Sequence, residues 1–308
     1  MSLKSDIPEI PTIRPPSEWR SLLVRLTRGC EWDRCRFCGI YPHLGEPGFT
    51  KRSVAEIKHD IDLLKQIHPD AETAFFGDAD PLLVGIEAFT EVARYVRHVL
   101  PIQRLTCYAR ASTLWKLKGD KIKLLSDAGL NRVHIGLESG DPETLRYHRK
   151  GHSPKLVKET AAWLKEAGIE ISFYVLLGLG GRDHWRRHIH KTAQLINETE
   201  PEFVRIRRLW LYEGDPHFSG PESPLLGEIR NGLFNPQTPE GSVQELKMLI
   251  EELNNLSTFL VCDHENNYVH VSGVVKENRE QMLATIDEFL ALPETKREVH
   301  YLAVGSHI

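Results

Sequence analysis

The sequence has no long apolar run, no dense cysteine framework and no large excess of either charge. Of its 308 residues, 41% are hydrophobic and 27% are charged, and the formal net charge is −4. No stretch is apolar enough to cross a bilayer, and the N-terminus lacks a signal-peptide pattern, so we expect a cytoplasmic protein without a membrane partner. The charge balance gives no indication of nucleic acid as a partner. Five cysteines in a chain of this length do not describe a disulfide scaffold.

Three of the five cysteines lie within nine residues, at Cys30, Cys35 and Cys38. The other two, Cys107 and Cys262, are far along the chain, so the cluster has no fourth cysteine nearby. Thiols at this density in one short loop are typical of metal ligands. Iron–sulfur clusters usually take four thiolates, and three would leave one iron with an open position that can bind substrate. A structural zinc site is the alternative, because these cysteines with His43 would make a Cys3His ligand set.

The rest of the chain alternates between strand-like and helix-like segments. Four prolines in residues 1–20 predict an extended arm. Six strands are expected at 21–27, 73–76, 104–108, 132–137, 169–177 and 202–209. Helices are expected between them at 53–67, 86–100, 112–128, 153–167 and 184–198, with two more at 242–256 and 277–290 after a proline-rich loop over 210–240. This order predicts an α/β fold with a parallel sheet, either doubly wound or a barrel, whose function gathers at the carboxyl ends of the strands.

The cysteine loop at the end of the first strand resembles that of the radical S-adenosylmethionine (SAM) superfamily, in the subgroup with Cys-x4-Cys-x2-Cys spacing. Three further motifs carry the resemblance: Phe75–Leu82 after the second strand, Val133–Gly140 at the fourth and Val175–Gly181 at the fifth. The resemblance implies a partial (β/α)6 TIM-type barrel over 21–210 and a C-terminal α+β extension over 211–308 that covers the barrel mouth. It also implies a [4Fe–4S] cluster held by Cys30, Cys35 and Cys38, with SAM chelated to the open iron.

The resemblance also implies a set of SAM contacts. An aspartate after the second strand, Asp78 or Asp80, would hold the methionine ammonium group, because a carboxylate facing a cation meets that need. Glu138, with Ser139 beside it, would contact the ribose hydroxyls. The other residues expected to bind the cofactor are Phe37, Gly77, Arg110 and Gly178. Arg205 and Arg207 share one face of the sixth strand, and if they face the interior they need an anion, either the SAM carboxylate or an acidic substrate.

The C-terminal third contains an unusually polar string, Cys262–Tyr268, between two apolar segments. It is either a plain loop or a cap in which His264 or Tyr268 supplies a proton or a hydrogen bond to substrate. Three functions remain open at this point. The chain is a radical SAM enzyme that takes an electron from a flavodoxin- or ferredoxin-like donor, a barrel protein with a structural zinc, or a carrier that binds cluster, SAM and a tetrapyrrole without turnover.

Overall fold

The computed structural model describes residues 7–43, 48–213 and 221–304, except for the side chains of residues 42 and 43. The chain forms two compact units. The first comprises the residues up to Asp33, Tyr41–Ile135 and Ala162–Ile171, and the second comprises Arg34–Ile40, Gly136–Ala161 and the residues from Ser172 onwards. The sequence predicts domain boundaries after residues 20 and 210. These boundaries remain predictions, because a compact unit is not the same thing as a domain.

The first unit is a layer of parallel strands with helices between them. Its strands are β1 (Leu22–Val24), β4 (Thr73–Phe76), β5 (Arg104–Ala109) and β6 (Leu130–Glu138, up to Ile135), hydrogen-bonded in that order and all parallel. The helices are α2 (Val54–Ile67), α3 (Ile86–Val99) and α4 (Ala111–Asp127), with a 3-10 turn at Pro16–Glu18 and another at Pro81–Val84. A separate two-stranded ribbon pairs β2 (Thr27–Arg28) with β3 (Thr50–Lys51). Helix α1 (Ile40–His43) lies at the junction of the two units along the chain.

The second unit continues the alternation and adds a C-terminal part. Strands β7 (Glu170–Leu177, from Ser172), β8 (Phe203–Arg208) and β9 (Phe259–Cys262) are parallel, and β10 (Val271–Val274) pairs antiparallel with β9. The helices are α5 (Pro142–Tyr147), α6 (Pro154–Glu166, up to Ala161), α7 (Gly181–Thr199), α8 (Leu225–Arg230), α9 (Pro239–Glu252), α10 (Val275–Leu290) and α11 (Glu294–Val304). In the described ranges, no helix is both long and apolar enough to span a membrane.

Local sequence accounts for most of these elements. Helix α2 begins with the expected capping box, in which Ser53 and Glu56 satisfy each other's free backbone amides. The strands are formed by β-branched, aromatic and leucine residues, and Phe75, Phe76, Leu105 and Val133 are fully buried. The structure confirms the predicted α/β class with parallel strands. Because parallel strands end at the same edge of a sheet, the residues that follow them gather within each unit.

The structure departs from the expected elements in four places. The segment expected as one strand over 21–27 is divided into β1 and β2, because the chain beyond Val24 pairs with β3 instead of β4. Helix α8 lies within the region expected to be a loop. Helices α5 and α11 were not expected either, since α5 has only six residues and α11 has no buried residue to give it an apolar pattern. The C-terminal extension contains strands β9 and β10, as an α+β segment requires.

Candidate functional site

The first cysteine follows the ribbon of the first unit. Strand β2 ends at Arg28, and Gly29 then adopts a φ of +69°, which favours glycine. The carbonyl of Gly48 closes the space beside the Gly29 Cα, so no side chain fits there. Cys30 is half-buried and free, and its Sγ accepts a hydrogen bond from the Asp33 amide at 3.4 Å. The turn therefore exposes one thiol at the carboxyl end of the strand.

The other two cysteines belong to a segment of the second unit that backbone hydrogen bonds hold in place. Cys35 and Cys38 are half-buried and form no disulfide, and the Cys38 amide donates to the Cys35 carbonyl at 3.1 Å. Between them, the Arg36 amide donates to the His148 carbonyl at 3.1 Å, and the Arg36 carbonyl accepts from the Leu225 amide at 2.8 Å. These backbone hydrogen bonds define the conformation of the loop.

The chemistry of this donor set distinguishes a single metal ion from a cluster. One zinc ion with Zn–S bonds of about 2.3 Å would bring its sulfur ligands within roughly 4 Å of one another. In residues 7–41, 48–213 and 221–304, no group of three His, Cys, Asp or Glu side chains could hold one metal ion. The side chain of His43, the fourth ligand of the zinc alternative, lies outside the described residues. The thiolates of a [4Fe–4S] cluster lie further apart, because each binds a different iron of the cube.

The N-terminal arm engages Asp78 in the first unit. Asp78 is fully buried, has a φ of +64°, and accepts hydrogen bonds from Arg25 Nε at 2.6 Å and from the Thr12 amide at 3.1 Å. The preceding glycine, Gly77, has Pro11 directly against its Cα, so the arm fills the space that a ligand would need there. The sequence left the choice between Asp78 and Asp80 open, and the structure shows that Asp78 already has a cation as its partner.

Asp80 has a different environment in the same unit. It is 2% exposed, and its Oδ2 accepts the Thr113 hydroxyl at 2.5 Å, while its Oδ1 is buried without a hydrogen-bond partner. Burial raises the pKa of Asp80 to about 7, although the Thr113 hydroxyl and the charge of Arg110 act in the opposite direction. The Arg110 guanidinium lies 4.7 Å from the centre of the Trp32 ring, within the cysteine loop. Asp80 and Arg110 thus place opposite charges near each other beside this loop.

Glu138 ends strand β6 in the second unit and forms a buried ion pair. Its Oε1 lies 2.7 Å from Lys150 Nζ, and the two side chains are 11% and 14% exposed. Burial lowers the pKa of Lys150, but the nearby Glu138, Cys35 and Cys38 outweigh this and raise it. Its ammonium group therefore lies close to two of the three thiols, where it would compensate thiolate charge. Gly136 makes room for the pair, because a Cβ there would collide with Glu138.

Two further expected cofactor residues use their polar groups within the fold. Ser139 is buried, and its hydroxyl is 2.7 Å from His188 Nδ1. Gly178, with a φ of +86°, donates its amide to Glu245 Oε2 at 2.6 Å. Burial raises the pKa of Glu245 to about 7, against the effect of the Gly178 amide and the Gln237 side chain. Any cofactor contact of Gly178 must therefore come through its Cα or its carbonyl group.

The remaining candidates lie along β8, in the cysteine loop and in the polar string of the second unit. Arg205 and Arg207 are half-buried on one face of β8. Phe37 packs edge-on against His148, with ring centres 5.7 Å apart. His264 is half-buried, and its Nδ1 lies 2.7 Å from Asn266 Oδ1. Burial and the charge of Arg207 lower its pKa. These positions leave the roles of all four residues as predictions.

Tyr268 lies in a packed cluster next to a cavity. The Arg208 guanidinium is 4.4 Å from its ring centre, Tyr301 of helix α11 contacts it edge-on, and its carbonyl accepts from His300 at 2.7 Å. Tyr268 also lines a cavity of about 320 Å³ at the carboxyl ends of β7 and β8. The side chain thus has a clear packing role, and its catalytic role stays a prediction.

Sequence reasoning missed three residues that shape this region. In the sequence, Lys150 is marked only by the glycine that follows it, Gly151. Its contact with Glu138 could not be inferred from the spacing of the two residues. His148 is fully buried and donates from Nε2 to the Leu179 carbonyl, assigned here as the neutral tautomer because burial lowers its pKa to about 4. Glu245 lies on helix α9, where it occupies an apolar-patterned face. No motif marks these three positions, because their importance comes from long-range contacts.

Comparisons with known proteins agree with this geometry. The family model of the radical SAM superfamily matches residues 24–195, which is more than half of the chain. The heme chaperone HemW of Bacillus subtilis is 28% identical over 235 residues, and the match covers 74% of this chain and 59% of that protein. The chain therefore matches about six-tenths of the length of this relative.

Two solved structures are similar in fold. Coproporphyrinogen III oxidase (HemN) from Escherichia coli, a radical SAM enzyme, has a TM-score of 0.52 at 15% identity, covering 75% of this chain and 51% of that chain. The radical SAM methyltransferase TsrM from Kitasatospora setae, solved with cobalamin and a [4Fe–4S] cluster, has a TM-score of 0.50 at 18% identity, covering 60% and 36%. These similarities confirm the partial (β/α)6 TIM-type barrel with its α+β extension. The chain belongs to the radical SAM superfamily, whose cofactors are a [4Fe–4S] cluster and SAM.

Proposed function

We propose that this protein is a radical SAM enzyme that holds a [4Fe–4S] cluster through Cys30, Cys35 and Cys38 and cleaves SAM reductively for chemistry on a substrate not yet identified. The observation that carries the proposal is the set of three half-buried cysteines, none in a disulfide, on one loop inside the matched family region. The cluster, when bound, supplies one electron to the sulfonium of SAM, which yields a 5′-deoxyadenosyl radical. A flavodoxin- or ferredoxin-like protein is the proposed source of that electron.

The residues around the thiols fit a negatively charged group. Lys150 brings a positive charge near Cys35 and Cys38, and thiolates are favoured in electropositive surroundings. The Cys35 thiol also approaches the Arg149 carbonyl at 3.9 Å, so the loop lies directly against the turn that carries Lys150. Glu138 orients the Lys150 ammonium through their 2.7 Å contact. The chain thus provides both the donors and part of the compensating charge.

Asp80 is the aspartate that we assign to the methionine ammonium group of SAM. Its Oδ1 is buried without a partner, and a buried carboxylate oxygen is costly unless a donor satisfies it. The ammonium group would supply that donor, and Arg110 would accompany it by binding the carboxylate of the same methionine moiety. Asp78 cannot replace it without releasing Arg25 and Thr12. In the second unit, Glu138 and the loop at Gly178 are assigned to the ribose and the adenine.

A second function deserves a test because the heme chaperone is 28% identical over 74% of this chain. A carrier of a tetrapyrrole or similar ligand would bind the cluster and SAM without turnover. The two functions predict the same metal content and the same affinity for SAM. They differ only in whether 5′-deoxyadenosine is formed.

The experiment is anaerobic reconstitution with iron and sulfide, followed by incubation with SAM and dithionite. We expect a brown protein with about four irons per chain that forms 5′-deoxyadenosine. Replacing Cys30, Cys35 or Cys38 by alanine should abolish both properties. Cys107→Ala is the matched control, because Cys107 is fully buried in β5 and should leave the iron content unchanged.

Two outcomes would contradict the proposal. A colourless protein that retains only zinc, and loses it on His43→Ala, would favour the structural zinc site. A fully loaded protein that binds SAM but forms no 5′-deoxyadenosine would favour the carrier.

A further inference from the structure

We propose that the substrate carries an anionic group, a carboxylate or a phosphate, which binds to Arg205 and Arg207 on strand β8 of the second unit. This inference rests on the proposed function, because it names the class of substrate on which the radical SAM enzyme would act. The observation behind it is a pair of half-buried arginines that share one strand face and form no ion pair with any described acidic side chain.

The two arginines lie on the side of β8 opposite to the packed core of the unit. The alternate residues Val204 and Ile206 are at most 1% exposed, so their side of the strand is the one covered by other elements. Arg205 Nε donates to Ser172 Oγ on β7 at 3.2 Å, and the Arg207 guanidinium lies 5.8 Å from the centre of the Tyr174 ring. Since β7 and β8 are parallel neighbours, these contacts place both arginines on the face formed by Ser172 and Tyr174.

Several other half-buried or buried arginines of this protein have acidic partners, whereas Arg97, Arg208 and Arg279 donate to backbone carbonyl groups. Arg25 pairs with Asp78 at 2.6 Å, Arg52 with Asp60 at 2.6 Å, and Arg132 with Glu170 at 2.7 Å. In the ranges that the structure describes, neither Arg205 nor Arg207 forms an ion pair with an Asp or Glu side chain.

Two guanidinium groups on the same strand face also repel each other. Residues two apart on a strand are separated by roughly 7 Å, and partial burial reduces the screening by water. Among the residues that the structure describes, no carboxylate pairs with either guanidinium group, so their mutual repulsion carries a cost. An anion bound between them would remove that cost, and guanidinium groups bind carboxylates and phosphates through paired hydrogen bonds.

The described surroundings of the pair include neutral hydrogen-bonding groups. Ser172 offers a hydroxyl beside Arg205. His264 follows β9 and lies close enough to Arg207 that burial and the charge of the arginine both lower its pKa. Asp263 is exposed, and no described contact brings its carboxylate onto either arginine. Arg208, the next residue of the strand, is held by the Asn266 carbonyl at 2.7 Å and belongs to the other face.

The carboxylate of SAM is the competing anion, and the first unit provides a better complement for it. The methionine moiety carries its ammonium and carboxylate on one carbon atom, so it requires opposite charges close together. Asp80 and Arg110 provide this combination, because the charge of Arg110 acts directly on Asp80. Arg205 and Arg207 offer two positive charges without an acid and suit an anion that has no adjacent ammonium group.

The test uses the cluster-loaded protein with SAM bound, and titrates succinate in one series and inorganic phosphate in another. We expect at least one of the two anions to bind, and the comparison shows whether the carboxylate or the phosphate is preferred. The variants are Arg205→Gln, Arg207→Gln and the double variant, and the double variant should weaken anion binding about 10-fold or more. The anion affinity of Arg207→Lys should lie between those of Arg207→Gln and the wild type, because lysine keeps the charge and loses the paired hydrogen bonds.

The matched control is Arg186→Gln, on the exposed side of helix α7, where the guanidinium contacts only the Trp185 ring among the described residues. It should leave anion binding unchanged. The thermal unfolding midpoint of each variant checks that the fold is intact. A large fall in SAM affinity in the double variant would assign the arginines to SAM and overturn the inference. Anion binding that is absent in the wild type, or equal in the double variant, would also overturn it.

The proposed function fails separately from this inference. If the wild-type protein binds the anions through the two arginines but never forms 5′-deoxyadenosine, then the anion site stands and the enzymatic role does not. If the wild-type protein forms 5′-deoxyadenosine but binds neither anion, the proposed function stands and the anion site does not.

Discussion

Asp78 and Asp80 show how two identical side chains two residues apart acquire different properties. Both are buried, yet Asp78 faces Arg25 and the arm, whereas Asp80 faces the Thr113 hydroxyl and leaves one oxygen without a partner. A buried carboxylate that is paired with a cation stabilises the fold in its charged form. One that lacks a direct ion pair has its pKa raised by burial, and its remaining oxygen is available to a ligand. We therefore expect Asp78 to stabilise the fold and Asp80 to bind a ligand.

Replacing the two aspartates by asparagine should separate these roles. Asp78→Asn leaves Arg25 without its buried counter-charge, so the free energy of unfolding should fall by about 3 kcal/mol. Asp80→Asn should leave the unfolding midpoint nearly unchanged and weaken SAM binding about 10-fold or more, because an amide cannot pair with the ammonium group. Chemical denaturation and SAM titration of both variants measure this. Equal effects of the two substitutions on SAM affinity would contradict the assignment.

Glu245 makes the stability of the protein depend on pH. Burial raises its pKa from 4.5 to about 7, so between these values the folded chain binds more protons than the unfolded chain. The free energy of unfolding therefore decreases as the pH rises from about 4.5 to 7, and this destabilisation is complete above pH 7.

Glu245→Gln resembles the neutral form and should remove this dependence. The variant should gain roughly 2 to 3 kcal/mol over the wild type between pH 5 and pH 8. Urea denaturation at the two pH values checks the sign. A constant difference between the two proteins would show that Glu245 does not titrate in this range.

The elements around the cysteine loop are joined by backbone contacts that leave little space. The amide of Gly140, just after β6, donates to the Thr192 hydroxyl of α7 at 2.8 Å, and a Cβ at Gly140 would collide with the Lys191 carbonyl. The turn that carries Glu138 and Ser139 is therefore fixed against helix α7. Close packing of two backbones requires a glycine here, although its φ is ordinary.

Gly140→Ala should separate the turn from α7 and destabilise the protein by about 3 kcal/mol or more, as overpacking against rigid backbone does. Gly227→Ala is the matched control, since Gly227 lies in helix α8 with open space around it. This change should stabilise the protein by about 0.5 to 1 kcal/mol, because alanine favours the helix. Thermal unfolding of both variants provides the comparison. A neutral Gly140→Ala would show that the turn can move.

The whole protein should fold without its cofactors. The thiol-bearing segment is closed by backbone hydrogen bonds between Arg36 and both His148 and Leu225, and the three cysteines are half-buried and form no disulfide. A structural metal would instead contribute most of the folding energy of its loop.

Replacing Cys30, Cys35 and Cys38 together by serine should change the free energy of unfolding of the metal-free protein by less than about 1 kcal/mol, as for other surface changes. Reconstituted wild-type protein should be more stable than the metal-free wild type and the triple variant, because ligand binding stabilises the folded state. Calorimetry under anaerobic conditions measures both differences. Loss of the fold in the triple variant would indicate a structural metal site.

Much of the fold followed from local patterns. Strand β4 and helix α3 lie within one residue of the expected bounds, because turns and charged residues delimit both segments. The short helix α5 and the exposed helix α11 were missed, since neither has enough buried residues to produce a period. Strand β2 was merged with β1 because its pairing with β3 depends on a segment more than twenty residues away.

The amino-acid sequence alone was sufficient to identify the cysteine spacing and to predict the alternation of strands and helices. Together these features indicated the superfamily. These features are local, since each depends on neighbours within one loop or one element. Only the tertiary structure could assign Asp78 to Arg25, which is 53 positions away, and Asp80 to Thr113, which is 33 positions away. The same holds for Lys150 beside the thiols and for Arg205 and Arg207 of β8, which form no ion pair with the acidic side chains that the structure describes. Burial and charge pairing arise from contacts between distant parts of the chain, and these contacts decide which of several identical side chains is free to bind a ligand.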